Sequence, residues 1–182
     1  MWSHTIAILI GGKSRRMGSP KHHIELSNGQ TMLDTMLEFA AAISTSTIIV
    51  GGDVEGLESI HDLRHQQGPV GGIEALLASG IDEQYLVVGC DMPNLQPEHV
   101  DELLQCGGNA VITCDDEIQT LPILLCSSAL RTCTTYLDTG KRSIKGFINV
   151  LPHTKVHMHI SNRRHFNSIN SPEEVSKIID SP

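Results

Sequence analysis

The chain has 182 residues, of which 40% are hydrophobic and only 3% aromatic, and its formal net charge is −8. This length suits one domain with a core of its own, and so few aromatic side chains argue against a surface on which nucleic-acid bases stack. The charge is unevenly distributed: residues 1–21 carry +4, residues 22–130 carry −16 with Arg64 as their only base, and residues 131–182 carry +4. An acidic body with two basic segments excludes a long nucleic-acid track but leaves room for a small polyanion.

Five cysteines, at positions 90, 106, 114, 126 and 133, occur without a CxxC pair. An odd number without that spacing favours reduced thiols, which are typical of a cytoplasmic protein. The first residues, MWSHTIAILI, carry no basic segment ahead of the apolar run, so we expect no signal peptide. No apolar stretch approaches the roughly 20 residues of a membrane-spanning helix. We therefore predict a cytoplasmic protein that has no membrane partner.

Strand-length apolar runs alternate with segments whose apolar residues recur at helical spacing. In chain order, the patterns predict a strand over 5–10, a helix over 32–40 behind an N-cap at Thr31, a strand over 46–50, a helix over 68–79, a strand over 84–89, a helix over 97–105, strands over 110–113 and 121–125, helices over 127–137 and 143–150, a half-exposed strand over 155–160 and a closing helix from Ser171. Such alternation predicts an α/β fold, a three-layer sandwich in which helices cover both faces of a mostly parallel sheet. We expect a single domain over 1–182, with ligands bound beyond the carboxyl ends of the strands.

A glycine-rich basic loop, residues 11–21, follows the first predicted strand and reads GGKSRRMGSPK. Glycines let a backbone turn sharply and approach a ligand closely, and free N–H groups together with Lys and Arg side chains bind phosphate oxygens. The pattern favours polyphosphate binding over a merely solvated basic loop. A Walker A loop is excluded, because Ala7 stands where its first glycine belongs and Pro20 prevents an immediate helix.

The same loop resembles the GGxSxRMGxDK signature of nucleotidyltransferases with a Rossmann-like fold, and more narrowly that of the molybdenum cofactor guanylyltransferase family. Further segments similar to that family follow in its order: GPVGGI (68–73), VGCDMP (88–93), LP (121–122), GKRS (140–143) and NSINSPE (167–173). The resemblance spans residues 5–180. It implies a Rossmann-like nucleotidyltransferase sheet and an enzyme that transfers GMP from GTP to molybdopterin or Mo-molybdopterin and releases pyrophosphate.

For the nucleotide, the resemblance implies binding residues on the first strand, the basic loop and later turns. They are Leu9, Ile10, Gly11, Gly12, Ser14, Gly18, Lys21, Asp62, Gly68, Gly72 and Asp91. Asp62 matches the acid that holds the guanine edge, whose N1–H and amino groups both donate hydrogen bonds; the alternative is a plain surface acid. Gly11-Gly12 points to GTP, whereas Pro20 stands where the guanylyl pattern has Asp and leaves CTP open. The implied catalytic residues are Arg16, Lys21 and Asp91.

Asp91 follows the predicted strand over 84–89 and precedes Met92-Pro93. Nucleotidyl transfer needs a divalent cation, and Mg²⁺ takes one or two carboxylates together with phosphate and water oxygens. A carboxylate at the carboxyl end of a central strand meets that need, although such an Asp can also merely cap a turn. By resemblance Asp91 is the Mg²⁺ ligand, and Asn170 is a candidate second ligand.

Lys141, Arg142 and Lys145 form a C-terminal basic patch that suits a second anion, the phosphate of molybdopterin. By resemblance, Arg142 and Asn170 contact this acceptor, with the nucleotide in a half over about 1–115 and the acceptor in a half over about 116–182. The implied partners are GTP and molybdopterin, then other molybdenum cofactor biosynthesis proteins and target apoenzymes, and no nucleic acid. A sugar- or cobinamide-phosphate acceptor, or a non-catalytic nucleotide-binding module, stays open as the alternative.

Overall fold

The computed structural model describes residues 3–10, 21–26, 28–169 and Glu174. The strands in these ranges are β1 (Thr5–Leu9), β2 (Thr47–Val50), β3 (Ser59–Ile60), β4 (Gln84–Gly89), β5 (Ala110–Cys114), β6 (Glu117–Cys126) and β7 (Thr154–Met158). They form one sheet in the order β3-β2-β1-β4-β6-β5-β7. β6 runs antiparallel to β4 and β5, and the other pairs are parallel. The predicted mostly parallel sheet is confirmed.

The helices in the described ranges are α1 (Met32–Ile43), α2 (Pro69–Ala78), α3 (Asp101–Leu104), α4 (Leu130–Asp138) and α5 (Ile144–Ile148). α1 begins as predicted, because the Thr31 hydroxyl accepts a hydrogen bond from the Asp34 N–H and the Asp34 carboxylate accepts one from the Thr31 N–H. The predicted helices over 97–105 and 127–137 each begin with a 3₁₀ turn before the α-helical part. Each predicted helix up to residue 150 is thus observed, with shifted boundaries.

Alternate residues of β1 face opposite layers, which is why the strand is apolar throughout. Ile6 and Ile8 pack in the core cluster that α1 covers, whereas Ala7 and Leu9 pack in the cluster that α2, α4 and α5 cover. All four side chains are buried. The sheet therefore separates two apolar layers, and the predicted three-layer sandwich is confirmed.

The chain after β5 differs in detail from the sequence patterns. The strand expected over 121–125 is the inner part of a longer β6, which begins after a tight turn at Asp115 and Asp116, both with positive φ. The strand expected over 155–160 ends at Met158, and a 3₁₀ segment, Ile160–Phe166, follows it. The closing helix expected from Ser171 lies outside the described residues, apart from Glu174. Where the chain is described, no helix has the length and apolar character needed to cross a membrane.

Asp82 ties together the amino ends of β1 and β4, at the edge of the sheet opposite to the predicted ligand site. One carboxylate oxygen accepts hydrogen bonds from the Thr5 N–H and hydroxyl, both at 2.9 Å, and the other accepts one from His4 Nδ1 at 2.8 Å. Burial alone would raise the pKa of Asp82, but these hydrogen bonds and those from the N–H groups of Glu83 and Gln84 outweigh it and hold the pKa below its ordinary value of 3.8.

We expect Asp82→Asn to lower the free energy of unfolding at pH 7 by about 2 kcal/mol, because an amide accepts at only one atom and turns a donor toward Thr5 or His4. Since folding lowers the pKa of Asp82, its contribution is fully present above pH 3.8 and is lost as the pH falls further. Urea unfolding at pH 7 and pH 3 measures the loss of unfolding free energy at each pH, and Asp116→Asn, at an exposed position, is the control. Equal losses in the two variants, or a difference that persists unchanged at pH 3, would contradict the assignment.

Candidate functional site

The carboxyl ends of β2, β1 and β4 meet at one edge of the sheet, which we call the carboxyl edge. Leu9 lies in register between Val50 and Gly89. Beyond the strands, the Ile10 N–H donates to the Val50 carbonyl and the Cys90 N–H donates to the Leu9 carbonyl, each at 3.0 Å. The ladder thus continues past the ends of the three strands and holds the turns that follow them at fixed positions.

Ile10, one of the predicted nucleotide-binding residues, has a large side chain, and the structure shows how it is accommodated. It is 8% exposed and packs in the core cluster on the α1 side. A Cβ added to Gly52 would lie only 3.0 Å from Ile10 Cδ1, so the side chain rests against a glycine backbone beyond β2. Ile10 therefore points away from the α2 layer, and a ligand over the carboxyl edge would meet its backbone.

Asp91 lies in the turn directly beyond β4, and its carboxylate folds back over the end of that strand. A Cβ placed on Gly89 would be 2.6 Å from Asp91 Oδ1 and 3.5 Å from Leu121 Cδ1. The carboxylate therefore occupies a cradle that exists because residue 89 has no side chain. The Asp91 carbonyl accepts a hydrogen bond from the Ile169 N–H at 2.9 Å, so the C-terminal segment passes beside the same turn.

Gly89→Ala is expected to lower kcat by about tenfold or more with little change in stability. The added methyl cannot lie 2.6 Å from an oxygen, and rotating the short Asp91 side chain relieves the contact at the cost of its position. Steady-state kinetics and the thermal midpoint measure the two effects. Gly107→Ala is the matched control, because no atom lies within 4 Å of its added Cβ. If Gly89→Ala turns over like wild type, the cradle does not position Asp91 for the reaction.

The donor set at this turn fits a hard cation with few protein ligands. A carboxylate oxygen is the preferred partner of Mg²⁺, which commonly keeps water and substrate phosphates as its other ligands. Within the described ranges no group of three or more His, Cys, Asp or Glu side chains could hold a metal ion. Asp91 fits a site that the phosphates of a substrate complete, and Asn170, the candidate second ligand, lies outside the described residues.

Asp62 lies in the loop that precedes α2, residues 61–68, which we call the α2 entry loop. A Cβ added to Gly72 would lie 3.4 Å from Asp62 Oδ1, 2.8 Å from Val50 Cγ1 and 3.7 Å from Leu9 Cδ2. The carboxylate is therefore brought to the carboxyl edge, over the glycines that begin α2. Among the residues that the structure describes, its oxygens accept no hydrogen bond.

The environment of Asp62 disfavours its charged form. Burial of the carboxyl against Gly71 and Gly72 raises the pKa of Asp62 above its ordinary value, and His61 and His65 offset part of that effect. A carboxylate that is partly desolvated and accepts no hydrogen bond from the described residues is available to accept hydrogen bonds from a ligand. This is the arrangement that a ligand edge with two neighbouring N–H donors would satisfy.

Arg142, predicted to bind the acceptor, lies against the α2 entry loop. Its Nε donates to Gln67 Oε1 at 3.0 Å and its Nη1 donates to the Gly140 carbonyl at 3.2 Å. Gly68, with φ of +63°, immediately precedes α2, and a Cβ added to it would lie 3.9 Å from the Arg142 carbonyl oxygen. Ser143, the last residue of the GKRS segment, caps α5 by accepting a hydrogen bond from the Gly146 N–H. The exposed Arg142, itself part of the C-terminal basic patch, thus connects that patch to the α2 entry loop.

Two histidines that the sequence did not single out hold the segment after β7 against the turn that follows Asp91. The rings of His99 and His165 stack with their centroids 4.1 Å apart, and His165 Nδ1 lies 3.2 Å from the Asn94 carbonyl. His99 Nδ1 accepts a hydrogen bond from the Gln96 N–H at 3.0 Å. These contacts hold the segment Ile160–Phe166 beside the turn that contains Asp91. Only the tertiary structure reveals them, since their sequence positions follow no pattern.

The structure brings together part of the predicted site. Leu9, Ile10, Asp62, Gly72 and Asp91 lie along the carboxyl edge, with Gly68 and Arg142 beside the α2 entry loop. Lys21 begins a short 3₁₀ helix, Lys21–His23. The remaining predicted residues lie outside the described ranges: Gly11, Gly12, Ser14, Arg16, Gly18 and Asn170. The five cysteines, all among the described residues, form no disulfide.

Comparison with known proteins identifies relatives along most of the chain. Residues 6–155 match the family described as the MobA-like NTP transferase domain. The molybdenum cofactor guanylyltransferase of Xanthomonas euvesicatoria pv. vesicatoria is 29% identical over 180 residues, which cover 96% of this chain and 94% of that protein.

Two solved structures share the fold. Molybdopterin-guanine dinucleotide biosynthesis protein A from Archaeoglobus fulgidus is 24% identical with a TM-score of 0.75, and the match covers 96% of each chain. The 2-C-methyl-D-erythritol 4-phosphate cytidylyltransferase from Thermus thermophilus is 15% identical with a TM-score of 0.68 over 95% of each chain. The sheet described above is therefore the nucleotidyltransferase fold of these structures.

Proposed function

Since this chain belongs to the family of MobA-like NTP transferase domains and is a nucleotidyltransferase, we propose that it transfers GMP from GTP to molybdopterin or Mo-molybdopterin. An oxygen of the acceptor phosphate attacks the α-phosphorus of GTP. The bond from that phosphorus to the bridging oxygen of the β-phosphate breaks, and pyrophosphate leaves with the electron pair. No covalent intermediate with the protein is needed, because positioning and charge stabilisation account for such reactions.

The observation that carries the choice of GTP is the Asp62 carboxylate, which accepts no hydrogen bond from the described residues and lies over Gly72 beside Leu9. The Watson–Crick edge of guanine presents two neighbouring donors, N1–H and the 2-amino group, and a carboxylate offers two acceptors. Cytosine presents one amino group next to acceptors, so an ionised Asp suits it less well. The relative from Xanthomonas, named a guanylyltransferase, supports the same choice.

Asp91 would hold Mg²⁺, whose charge helps to neutralise the triphosphate in such transfers. The Gly89 cradle keeps this carboxylate over the end of β4. We assign Arg16 and Lys21 to the charge that develops on the phosphates, with Gly11, Gly12, Ser14 and Gly18 supplying backbone and hydroxyl donors from the basic loop. These assignments follow from the motif and its place after β1.

For the acceptor we propose Arg142 and Asn170, in a half over about 116–182 that faces the nucleotide half over about 1–115. The hydrogen bond from Arg142 to Gln67 supports this division, because it puts a guanidinium from the second half next to the loop that carries Asp62. The same proposal puts the chain in the cytoplasm, where free cysteines are the norm. There, other molybdenum cofactor biosynthesis proteins and target apoenzymes are its proposed partners.

The test mixes the full chain, Mg²⁺ and molybdopterin with GTP, CTP or ATP in parallel, and detects pyrophosphate release and the dinucleotide product by mass. The proposal predicts a guanine dinucleotide and one pyrophosphate for each product formed. A cytosine dinucleotide in its place would move the chain to the cytidylyl relatives. Stabilisation by GTP without pyrophosphate would identify a binding module and refute the transferase proposal.

A further inference from the structure

Arg64 is the only Lys or Arg between residues 22 and 130, a stretch with 17 acids. It pairs with Glu74 of α2, whose side chain is only 4% exposed, at 2.9 Å between Nη2 and Oε1. The Thr134 hydroxyl donates to the same Glu74 oxygen at 2.9 Å. Glu74 Oε2 is buried and has no hydrogen-bond partner among the described residues. Arg64 is thus the cation that compensates a buried acid.

The second arm of Arg64 reaches a different helix. Its Nη1 lies 2.6 Å from Asp138 Oδ1, on the last residue of α4. One guanidinium therefore joins the α2 entry loop to α2 through Glu74 and to α4 through Asp138. Lys has a single ammonium on a flexible chain and cannot hold two carboxylates in this forked geometry.

The α2 entry loop has little else to hold it in place. Leu63 is 65% exposed, so the loop is not anchored by burying its one large apolar side chain. Gln66 has φ of +59°, a left-handed conformation that costs free energy for a residue with a Cβ. Two other side-chain contacts hold the loop: His61 Nε2 lies 3.1 Å from Asp53 Oδ1, and Gln67 accepts a hydrogen bond from Arg142 at the far end of the loop. Since both side chains of the His61–Asp53 pair are exposed, that pair contributes little, and the contact of Arg64 to the buried Glu74 is the stronger anchor of the first half of the loop.

We infer that Arg64 is a positioning residue, which holds Asp62 over Gly72 by anchoring the α2 entry loop to Glu74 and Asp138 and so sets the selectivity of the enzyme for guanine. Only one residue separates Arg64 from Asp62, which leaves the Asp62 backbone little freedom once Arg64 is fixed. Both arms of the guanidinium are engaged by carboxylates of the protein, so Arg64 acts through Asp62 and not on the nucleotide. The inference rests on the proposed function for the identity of the base.

A merely structural role for Arg64 makes a different prediction, and a pair of variants separates the two. Arg64→Met leaves Glu74 buried without its cation and is expected to destabilise the fold. Arg64→Met/Glu74→Gln removes that uncompensated charge and is expected to regain most of the lost thermal stability, but the loop remains unanchored. If Arg64 serves only to neutralise Glu74, the double variant should behave like wild type in every respect.

The experiment measures kcat/KM for GTP and for inosine triphosphate, which keeps N1–H but lacks the 2-amino group. The ratio of the two values reports the contact to that amine. We expect Arg64→Met/Glu74→Gln to lower the ratio by about tenfold, through KM for GTP and not through kcat. Asp62→Asn is the positive reference. Arg131→Met is the matched control, because exposed Arg131 of α4 forms no ion pair with the described residues.

Hydrogen exchange of residues 61–68 in the free protein completes the test, since it depends on no nucleotide. We expect faster exchange in the double variant and wild-type exchange in Arg131→Met. Two results would overturn this inference and leave the proposed function intact. One is wild-type hydrogen exchange in the loop of the double variant. The other is a wild-type ratio of kcat/KM for GTP to that for inosine triphosphate in the double variant, when Asp62→Asn lowers the same ratio. Absence of guanylyl transfer by the wild-type chain would refute the proposed function, and the exchange result would still decide whether Arg64 anchors the loop.

Discussion

Asp91→Asn is expected to lower kcat by about three orders of magnitude at saturating GTP and Mg²⁺. The amide keeps the size and shape of the side chain over Gly89 but loses the negative charge that would hold the cation. The backbone contact at this residue, from the Ile169 N–H to the Asp91 carbonyl, does not involve the side chain. Because the amide is isosteric with the carboxylate and residue 91 is only partly buried, the fold should remain intact, with a thermal midpoint near that of the wild type.

Steady-state kinetics across a range of Mg²⁺ concentrations, together with thermal unfolding, measure these effects. Asp116→Asn is the matched control: it removes the same charge from an exposed turn, and asparagine tolerates the positive φ of that position. Its kcat should equal that of the wild type. If Asp91→Asn keeps wild-type turnover, then Asp91 does not hold the catalytic metal, and the cradle at the end of β4 has another purpose.

Asp62→Asn is expected to lower kcat/KM for GTP by about a thousandfold, because two hydrogen bonds to a charged acceptor are lost and an amide donor then faces the donors of guanine. The same variant should gain activity with xanthosine triphosphate, whose base carries a carbonyl where guanine carries the amine. Because burial disfavours the Asp62 carboxylate, the neutral amide should not destabilise the fold. The loss is thus specific to the substrate.

Values of kcat/KM for GTP and for xanthosine triphosphate, measured in the wild type and in Asp62→Asn, show whether the preferred nucleotide changes. In the wild type, KM for GTP should rise as the pH is lowered into the acid range, and at a higher pH than an ordinary Asp would give, since folding raises the pKa of Asp62. In Asp62→Asn this dependence should be absent. A variant that still prefers GTP to xanthosine triphosphate would show that Asp62 does not contact the base.

The architecture could be predicted because its signals are local. The continuous apolar runs of β1, β2 and β4 follow from burial on both faces of the sheet, and the cap at Thr31 follows from side-chain chemistry next to α1. The direction of β6 carries no such signal, since a buried strand has the same pattern whichever way it runs. The 3₁₀ segment Ile160–Phe166 has no local signal in the sequence, because it is held in place by tertiary contacts such as the His99–His165 stack.

In the candidate site, too, some positions follow from local sequence signals and others depend on tertiary contacts. Asp91 could be placed at the carboxyl edge because it directly follows a recognisable strand. The location of Asp62 over Gly72 could not be derived, because it depends on how the α2 entry loop folds back across β2. The single base in the acidic body, Arg64, was visible in the charge distribution, but its partners Glu74 and Asp138 are known only from the packing of α2 against α4.

We propose that the carboxyl edge binds GTP through two carboxylates, Asp62 on the base and Asp91 on the metal. A crystal structure with Mg²⁺ and α,β-methylene GTP, which cannot transfer its nucleotide, tests it most directly. We expect guanine N1 and the 2-amino nitrogen about 3 Å from the Asp62 carboxylate and Mg²⁺ about 2.1 Å from an Asp91 oxygen. A guanine bound away from Asp62, or a metal held without Asp91, would contradict it.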